Sequence, residues 1–262
     1  MSSDDSLDLR ERHPTFDVAY RSAASILAHP DFPRARETYI RDVLALYGHD
    51  PFLNKLLMVA ARMVIFSVVI CLDAGYRAED RSTWPTVGSL KKALATFGLA
   101  SPRRIDQIVG RLIQTGYMES SPSPVDGRVR LLRPTDRTLA HDQDWLLAHY
   151  RPLACLFGEA GYELPLARDP AFQQAQRRIA TEFFAESASV LMRNPGIMLF
   201  FSREAGILVL MELAHAAIDQ ASTTVPLSLA RLGERLAVSR AHVRQLLQDA
   251  EAQGFVELDR QG

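Results

Sequence analysis

The chain has 262 residues, of which 47% are hydrophobic and 23% are charged, a composition typical of a soluble globular protein with room for two ordinary domains. Its formal net charge of −1 excludes a histone-like polycation, so any nucleic-acid binding has to come from a local basic patch. Cys71 and Cys155 have neither a metal-ligand nor a CxxC spacing, which predicts no metal site and favours a reducing, cytoplasmic location.

The N-terminal third predicts a tail followed by helices. The opening stretch MSSDDSLDLRERHP is acidic and polar, unlike an export signal, and predicts a flexible tail. Residues 34–47 carry apolar side chains at helical spacing and predict an amphipathic helix that Gly48 and Pro51 end. Residues 52–75 are the most apolar run. A central Arg62 is costly in lipid and divides the run into short apolar pieces, so we expect a buried core or interface helix rather than a membrane span.

A loop with a short strand around Trp84 to Val87 is predicted next, and residues 89–135 then predict helix, turn, helix and hairpin. Ser101 is a good helix N-cap, and Pro102 suits the first helical position. The inward stripe of the second helix is formed by Ile105, Ile108, Leu112 and Ile113, and its opposite side carries Arg103, Arg104, Gln107 and Arg111. Taken alone, these arginines also suit an ordinary solvated helix surface.

The hairpin adds a second group of arginines. A strand begins at Tyr117 and Met118, Asp126 and Gly127 make the turn, and residues 128–133 return. Residues 101–137 contain seven arginines against four acidic residues, which makes this segment a modest basic patch. Guanidinium and carboxamide groups on a helix suit the edges of a major groove, and guanidinium at a hairpin tip suits a minor groove.

These residues resemble the MarR-type winged-helix transcription regulators. The family's wing pattern is matched by Asp126, Arg128, Leu132 and Thr135, whereas Pro134 departs from it at a position that is usually aliphatic. The resemblance implies that Arg128 enters the minor groove and that Asp126 orients the wing tip. It also implies that the apolar helix over 52–75 helps to join the two halves of a dimer. Because proline cannot donate to a sheet ladder, Pro134 leaves the end of the returning strand open.

Residues 136–158 predict a helix that packs back on the apolar helix, and the glycine- and proline-rich run 158–170 predicts a domain boundary. A helix is expected from Ala171 to about Met192, stopped by Asn194-Pro195-Gly196. The apolar residues of 197–219 favour core packing, and a small-molecule pocket among them stays open.

Residues 224–256 repeat the earlier pattern at an offset of 138 residues, with Ser239 on Ser101 and Gly254 on Gly116. The repeat is less faithful on the exposed side, where Ala241, His242, Arg244 and Asp249 replace three arginines and Asp106. Residues 257–260 are predicted to begin the first strand of a second wing, which is incomplete at Gly262. A truncated chain and a degenerate second copy used for packing both stay open.

We therefore predict a mainly α-helical fold with small β-wings: a tail over 1–30 and two winged-helix domains joined by long helices, over 31–160 (recognition region 84–135) and 161–262 (recognition region 224–262). The expected function is sequence-specific binding of double-stranded DNA as a pseudo-dimeric transcription regulator. A non-catalytic protein-interaction or chromosome-structure module is the alternative, and a strongly basic replication initiator ranks lower. No enzyme, cofactor, metal or membrane is expected, and a small-molecule effector and a homodimer stay open. The candidate DNA contacts are Ser101, Arg103, Arg104, Gln107, Arg111, Arg128, Arg130, Arg133, Ser239, Arg240, His242, Arg244 and Gln245.

Overall fold

The computed structural model describes residues 10–13, 17–48 and 50–259. This part of the chain is mainly α-helical and contains two small antiparallel sheets of two strands each, which confirms the predicted fold at that level. A single hydrophobic cluster runs through it and draws buried side chains from both halves of the chain, from Val43 to Ala250.

The segment predicted as a tail contains regular structure where it is described. Strand β1 (Arg10–Arg12) pairs with β2 (Ala19–Arg21), and helix α1 (Ala23–Ala28) follows. The Ser22 side chain caps α1 by accepting from the Ser25 N–H at 3.2 Å. Residues 1–9 and 14–16 of this segment lie outside the described residues.

Three helices form the centre of the fold: α2 (Phe32–Tyr47), α3 (Pro51–Leu57) and α4 (Ala60–Ala74). The prediction of α2 is confirmed, but the prediction of one helix over 52–75 is wrong. The chain turns at Met58 and Val59, where the Met58 carbonyl accepts from the Ala205 N–H at 2.9 Å. No single helix in the described residues is long and apolar enough to cross a bilayer; α3 and α4 meet that requirement only together, at a mutual bend of 85°.

The predicted helix, turn, helix and hairpin are present as α5 (Val87–Leu94), α6 (Pro102–Gln114), β3 (Met118–Pro122) and β4 (Arg130–Pro134). The short strand predicted around Trp84 is absent there, because Thr86 and Ser89 form a capping box that starts α5. One sheet-like bond remains, from the Leu132 N–H to the Pro85 carbonyl at 2.6 Å. Pro134 pairs with Met118 at the end of the ladder, so it does not shorten β4.

The long helix α7 (Asp136–Phe157) packs mainly against α2 and meets α4 where the His141 and Phe66 rings lie 5.8 Å apart. The short α8 (Glu163–Leu166) follows. The helix predicted over 171–192 is broken into α9 (Pro170–Ala180), a 3₁₀ turn and α10 (Phe184–Met192). Helix α9 packs on α4 and α7, where Arg177 and Asp142 form a buried ion pair of 2.6 Å. The division of the chain at residue 160 stays a prediction.

The C-terminal part consists of α11 (Pro195–Phe201), α12 (Gly206–Asp219), α13 (Leu229–Leu236) and α14 (Arg240–Ala252). Phe200, Leu208 and Val209 are buried, so these apolar residues of 197–219 serve the core. The Asn54 side chain donates to the Leu236 carbonyl at 2.6 Å and ties α13 to α3. Residues 256–259 form no strand, so the predicted second wing is not begun there; Arg260 lies outside the described residues.

Helices α6 and α14 repeat each other closely at the predicted offset. Each spans 13 residues, and Ser101 and Ser239 cap them in the same way, by accepting from the N–H three residues later. Their buried residues correspond one to one: Ile105, Ile108, Val109 and Leu112 in α6, and Val243, Leu246, Leu247 and Ala250 in α14. Both helices end at a glycine with positive φ, Gly116 at 76° and Gly254 at 75°.

Candidate nucleic-acid interface

Helix α6 presents the predicted polar side chains to solvent. Ser101 accepts from the Arg104 N–H at 3.3 Å, and Pro102 occupies the first turn, so the start of the helix is well specified. With the apolar stripe buried, all five candidate residues of this helix are exposed: Ser101, Arg103, Arg104, Gln107 and Arg111.

The exposed side of α6 has a net positive charge, because its one carboxylate is paired and its arginines are not. In the part of the chain that the structure describes, Arg103 and Arg111 form no salt bridge, and Arg104 contacts only the Gln107 carboxamide, at 3.5 Å. The one acidic residue of the helix, Asp106, is paired with Lys91 at 2.7 Å. The carboxylate that would repel a phosphate is therefore neutralised, while three guanidinium groups stay available.

The tip of the hairpin is organised around Asp126. The Arg128 guanidinium bonds to this carboxylate through Nε at 3.1 Å and Nη2 at 3.2 Å, and the Arg81 Nη2 donates to it at 2.7 Å. These bonds, those from Arg128 first, hold the pKa of Asp126 below its ordinary value. The Arg128 side chain is nevertheless 90% exposed. Two guanidinium groups on one carboxylate leave the tip with a net positive charge that faces solvent.

The other two wing arginines are turned toward the protein. The Arg130 Nε donates to the Ser120 hydroxyl at 3.0 Å, although the side chain stays exposed. Arg133 donates to Asp73 on α4 at 2.6 Å and lies over the Tyr76 ring at 4.2 Å. Burial raises the pKa of Asp73, and the bond from Arg133 opposes that shift. Arg133 therefore anchors β4 to α4, and the predicted DNA contact through this residue is not supported.

Helix α14 presents fewer free cations than α6. Ser239, Arg240 and Arg244 are exposed, and the Gln245 side chain donates to Asp249 at 2.9 Å. His242 Nε2 lies 2.9 Å from the Glu204 carbonyl. A carbonyl only accepts, so this nitrogen donates to the backbone of Glu204 and is not free for the predicted DNA contact.

The turn between α11 and α12 contacts both α14 and Arg62 of α4. Glu204, between α11 and α12, accepts from Arg62 at 3.0 Å through its carboxylate and from His242 through its carbonyl. Its neighbour Arg203 pairs with Asp249 of α14 at 2.6 Å. Arg62 also lines a groove beside α6, so the turn that contacts the start of α14 also contacts a residue that lies near the exposed side of α6.

Four residues that reach this surface have no signal in the sequence. Arg81 supports the wing tip from 45 residues away, Lys91 neutralises Asp106, and Lys55 and Arg62 stand across a groove from α6. No motif or spacing marks them, because their role comes from tertiary proximity alone.

No protein-family model, curated protein or solved structure matches this chain. A functional assignment therefore depends on the arrangement of its own side chains.

Proposed function

We propose that this protein is a sequence-specific regulator of transcription that binds double-stranded DNA through two winged-helix units in one chain. In this proposal α4, α5, α6, β3 and β4 form the first unit, and α12, α13 and α14 form a second unit without a complete wing. The MarR-type resemblance supports the choice of DNA as the ligand of the first unit.

The observation that carries the proposal is the charge arrangement on α6. Its exposed side combines three unpaired guanidinium groups with a carboxamide, and its only carboxylate is neutralised by Lys91. A solvated helix surface normally mixes both signs, so this arrangement favours an anionic partner. Arginine reads guanine and glutamine reads adenine in a major groove, each at about 1 to 3 kcal/mol of discrimination against the wrong base.

The wing gives the second contact of the proposal. Arg128 is exposed at the tip and held in orientation by Asp126, as an arginine that enters a minor groove requires. Arg81 shares the same carboxylate and extends the positive tip. Phosphate contacts are assigned to Arg130, which is exposed, and not to Arg133.

The two units are proposed to act unequally on an asymmetric site. Helix α14 offers Arg240 and Arg244 as free cations, and the internal bonds of His242 and Gln245 reduce what it can contribute. The first unit then supplies most of the affinity, and the second orients the protein along the duplex. A further association of two chains and a cytoplasmic location belong to the same proposal.

The test is binding of a fluorescent duplex, measured by anisotropy across a salt series. Arg103→Ala combined with Arg104→Ala should weaken binding at least about tenfold, because each guanidinium contributes base or phosphate contacts. The matched control is Arg34→Ala with Arg36→Ala, which removes the same charge from the exposed side of α2. Equal affinities and equal salt slopes for the wild type and the α6 double variant contradict the proposal.

A protein-interaction module is the second candidate, and a set of exposed apolar side chains favours it. Val190, Met192, Ile197 and Phe255 are large apolar residues that are each at least 40% exposed, and the Phe255 ring would lie 3.0 Å from a Cβ placed on Gly196. Exposed apolar residues of this kind mark contact surfaces for other proteins. Sedimentation of the wild type and of the Met192→Asp, Phe255→Asp double variant distinguishes the two candidates. The interaction module is supported if the wild type self-associates, the double variant does not, and the wild type binds no duplex.

A further inference from the structure

A groove of about 300 Å³ lies between α3 and α6 and brings residues of α3, which the sequence does not single out, next to candidate residues of α6. We call it the basic groove. Its apolar surface comes from Leu56, Ile108 and Leu112, and its rim carries Lys55, Arg104 and Arg111. This volume is at the lower end of the range of small-molecule sites in proteins.

The rim of the basic groove has a positive charge that the protein does not compensate. Within the described residues, Lys55, Arg104 and Arg111 form no ion pair, and only Arg62, which also lines the groove, is paired with an acid, Glu204. An anion in the groove compensates this charge.

The groove also offers contacts for a planar ring. Phe52 lines it and is 43% exposed, which is unusual for a phenylalanine, and the carboxamide of Gln107 can both donate and accept. Aromatic side chains with free faces stack on bases, and arginine forks match phosphate oxygens in pairs. Three uncompensated cations exceed what a single carboxylate would neutralise, so the chemistry favours phosphate.

We propose that the basic groove binds a nucleoside phosphate, with its base on Phe52 and its phosphates on Lys55, Arg104 and Arg111. Because Arg104, Gln107 and Arg111 also belong to the proposed DNA contact, the bound nucleotide excludes the duplex from α6. This second statement rests on the proposed function; binding of the nucleotide does not. The groove thereby makes DNA binding sensitive to a small anionic metabolite.

The direct test is calorimetry of the full chain with ADP, adenosine and pyrophosphate. ADP should bind at least about tenfold more tightly than either fragment, because only ADP engages both the ring and the cations. Phe52→Leu keeps an apolar side chain at an exposed position and should lower the affinity for ADP without changing the affinity for pyrophosphate. Lys55→Gln should lower the affinities for both ADP and pyrophosphate, whereas Lys92→Gln, on the exposed side of α5, should change neither affinity.

Three results overturn the proposal: no binding of ADP, equal binding of ADP and pyrophosphate, or an unchanged ADP affinity in Phe52→Leu. Competition with a labelled duplex tests the second statement separately. ADP that binds without displacing the duplex overturns mutual exclusion alone. If the duplex never binds, the proposed function fails, and calorimetry still decides whether the groove takes a nucleotide.

Discussion

Two arginines of the wing are expected to have different roles: Arg133 stabilises the fold, and Arg128 binds DNA. Arg133 and Asp73 form a bond of 2.6 Å, and their side chains are only 30% and 21% exposed. A hydrogen bond between charged groups contributes about 1.5 to 3 kcal/mol, and the stacking of Arg133 on Tyr76 adds about 0.5 kcal/mol at this exposure. Discounted for partial solvent access, Arg133→Ala should cost about 2 kcal/mol of folding free energy. That corresponds to a fall in Tm of roughly 4 to 8 °C for a chain of this size.

Arg128→Ala is the matched variant, because it removes the same side chain from a position that is 90% exposed. Its Tm should change little, but its duplex affinity should fall, because the variant lacks the guanidinium group that is proposed to enter the minor groove. The assays are thermal unfolding and duplex anisotropy on both variants.

The effect of Arg133→Ala should also depend on pH. Burial raises the pKa of Asp73 above its unfolded value, so its contribution to stability is favourable at low pH and is lost as the pH rises through the folded pKa. Without Arg133 this pKa rises further, so the stability difference from the wild type should narrow as the pH is lowered from 7 toward 4. A stable Arg133→Ala variant that loses DNA affinity as strongly as Arg128→Ala would refute the structural role.

Three further predictions concern stability and are read by urea unfolding. Asp142→Asn leaves the buried Arg177 without its counter-charge and should lower the free energy of unfolding by about 3 to 5 kcal/mol. Asp144→Asn, in an exposed ion pair on the same helix, should lower it by under about 1 kcal/mol. Equal losses in the two variants would refute this prediction. Burial lowers the pKa of His149 to about 4, so the wild type should lose roughly 3 kcal/mol of stability as the pH falls from 6.5 toward 4. The H149F variant should lose less stability over the same range. Parallel plots of unfolding free energy against pH for the two proteins would contradict this. Gly206→Ala should cost about 1 to 3 kcal/mol, because its Cβ would clash with the Phe200 carbonyl oxygen, whereas Gly110→Ala, in open space, should be neutral or stabilising. An equal cost at both positions argues against this packing.

The features that the sequence predicts well are local ones. The cap at Ser101, the buried stripe of α6 and the repeat at Ser239 all depend on residues within a few positions of each other, and each is found in the structure. The hairpin is also found, although its strands cover 118–122 and 130–134 and the connection between them is longer than the predicted turn at Asp126 and Gly127. Helix propensity and apolar periodicity carry this information without knowledge of the rest of the chain.

The features that the sequence does not predict depend on contacts between residues that are far apart in the chain. Arg133 looks like another basic residue of the wing until Asp73, 60 residues away, is seen to hold it. The apolar run of 52–75 has the composition of one helix, yet Met58 ends the first part and bonds to the turn before α12. His242 likewise has its partner 38 residues earlier, in that same turn. Sequence spacing does not encode which charged groups meet across the fold.

The central claim is that the exposed side of α6 reads double-stranded DNA. Selection of bound fragments from a genomic duplex library by the purified 262-residue chain tests it most directly. The account predicts enrichment of one asymmetric motif, with an enrichment that is lost in the Arg103→Ala, Arg104→Ala double variant and kept in the Arg34→Ala, Arg36→Ala control. Recovery of no motif by the wild type, or of the same motif by the α6 double variant, contradicts it.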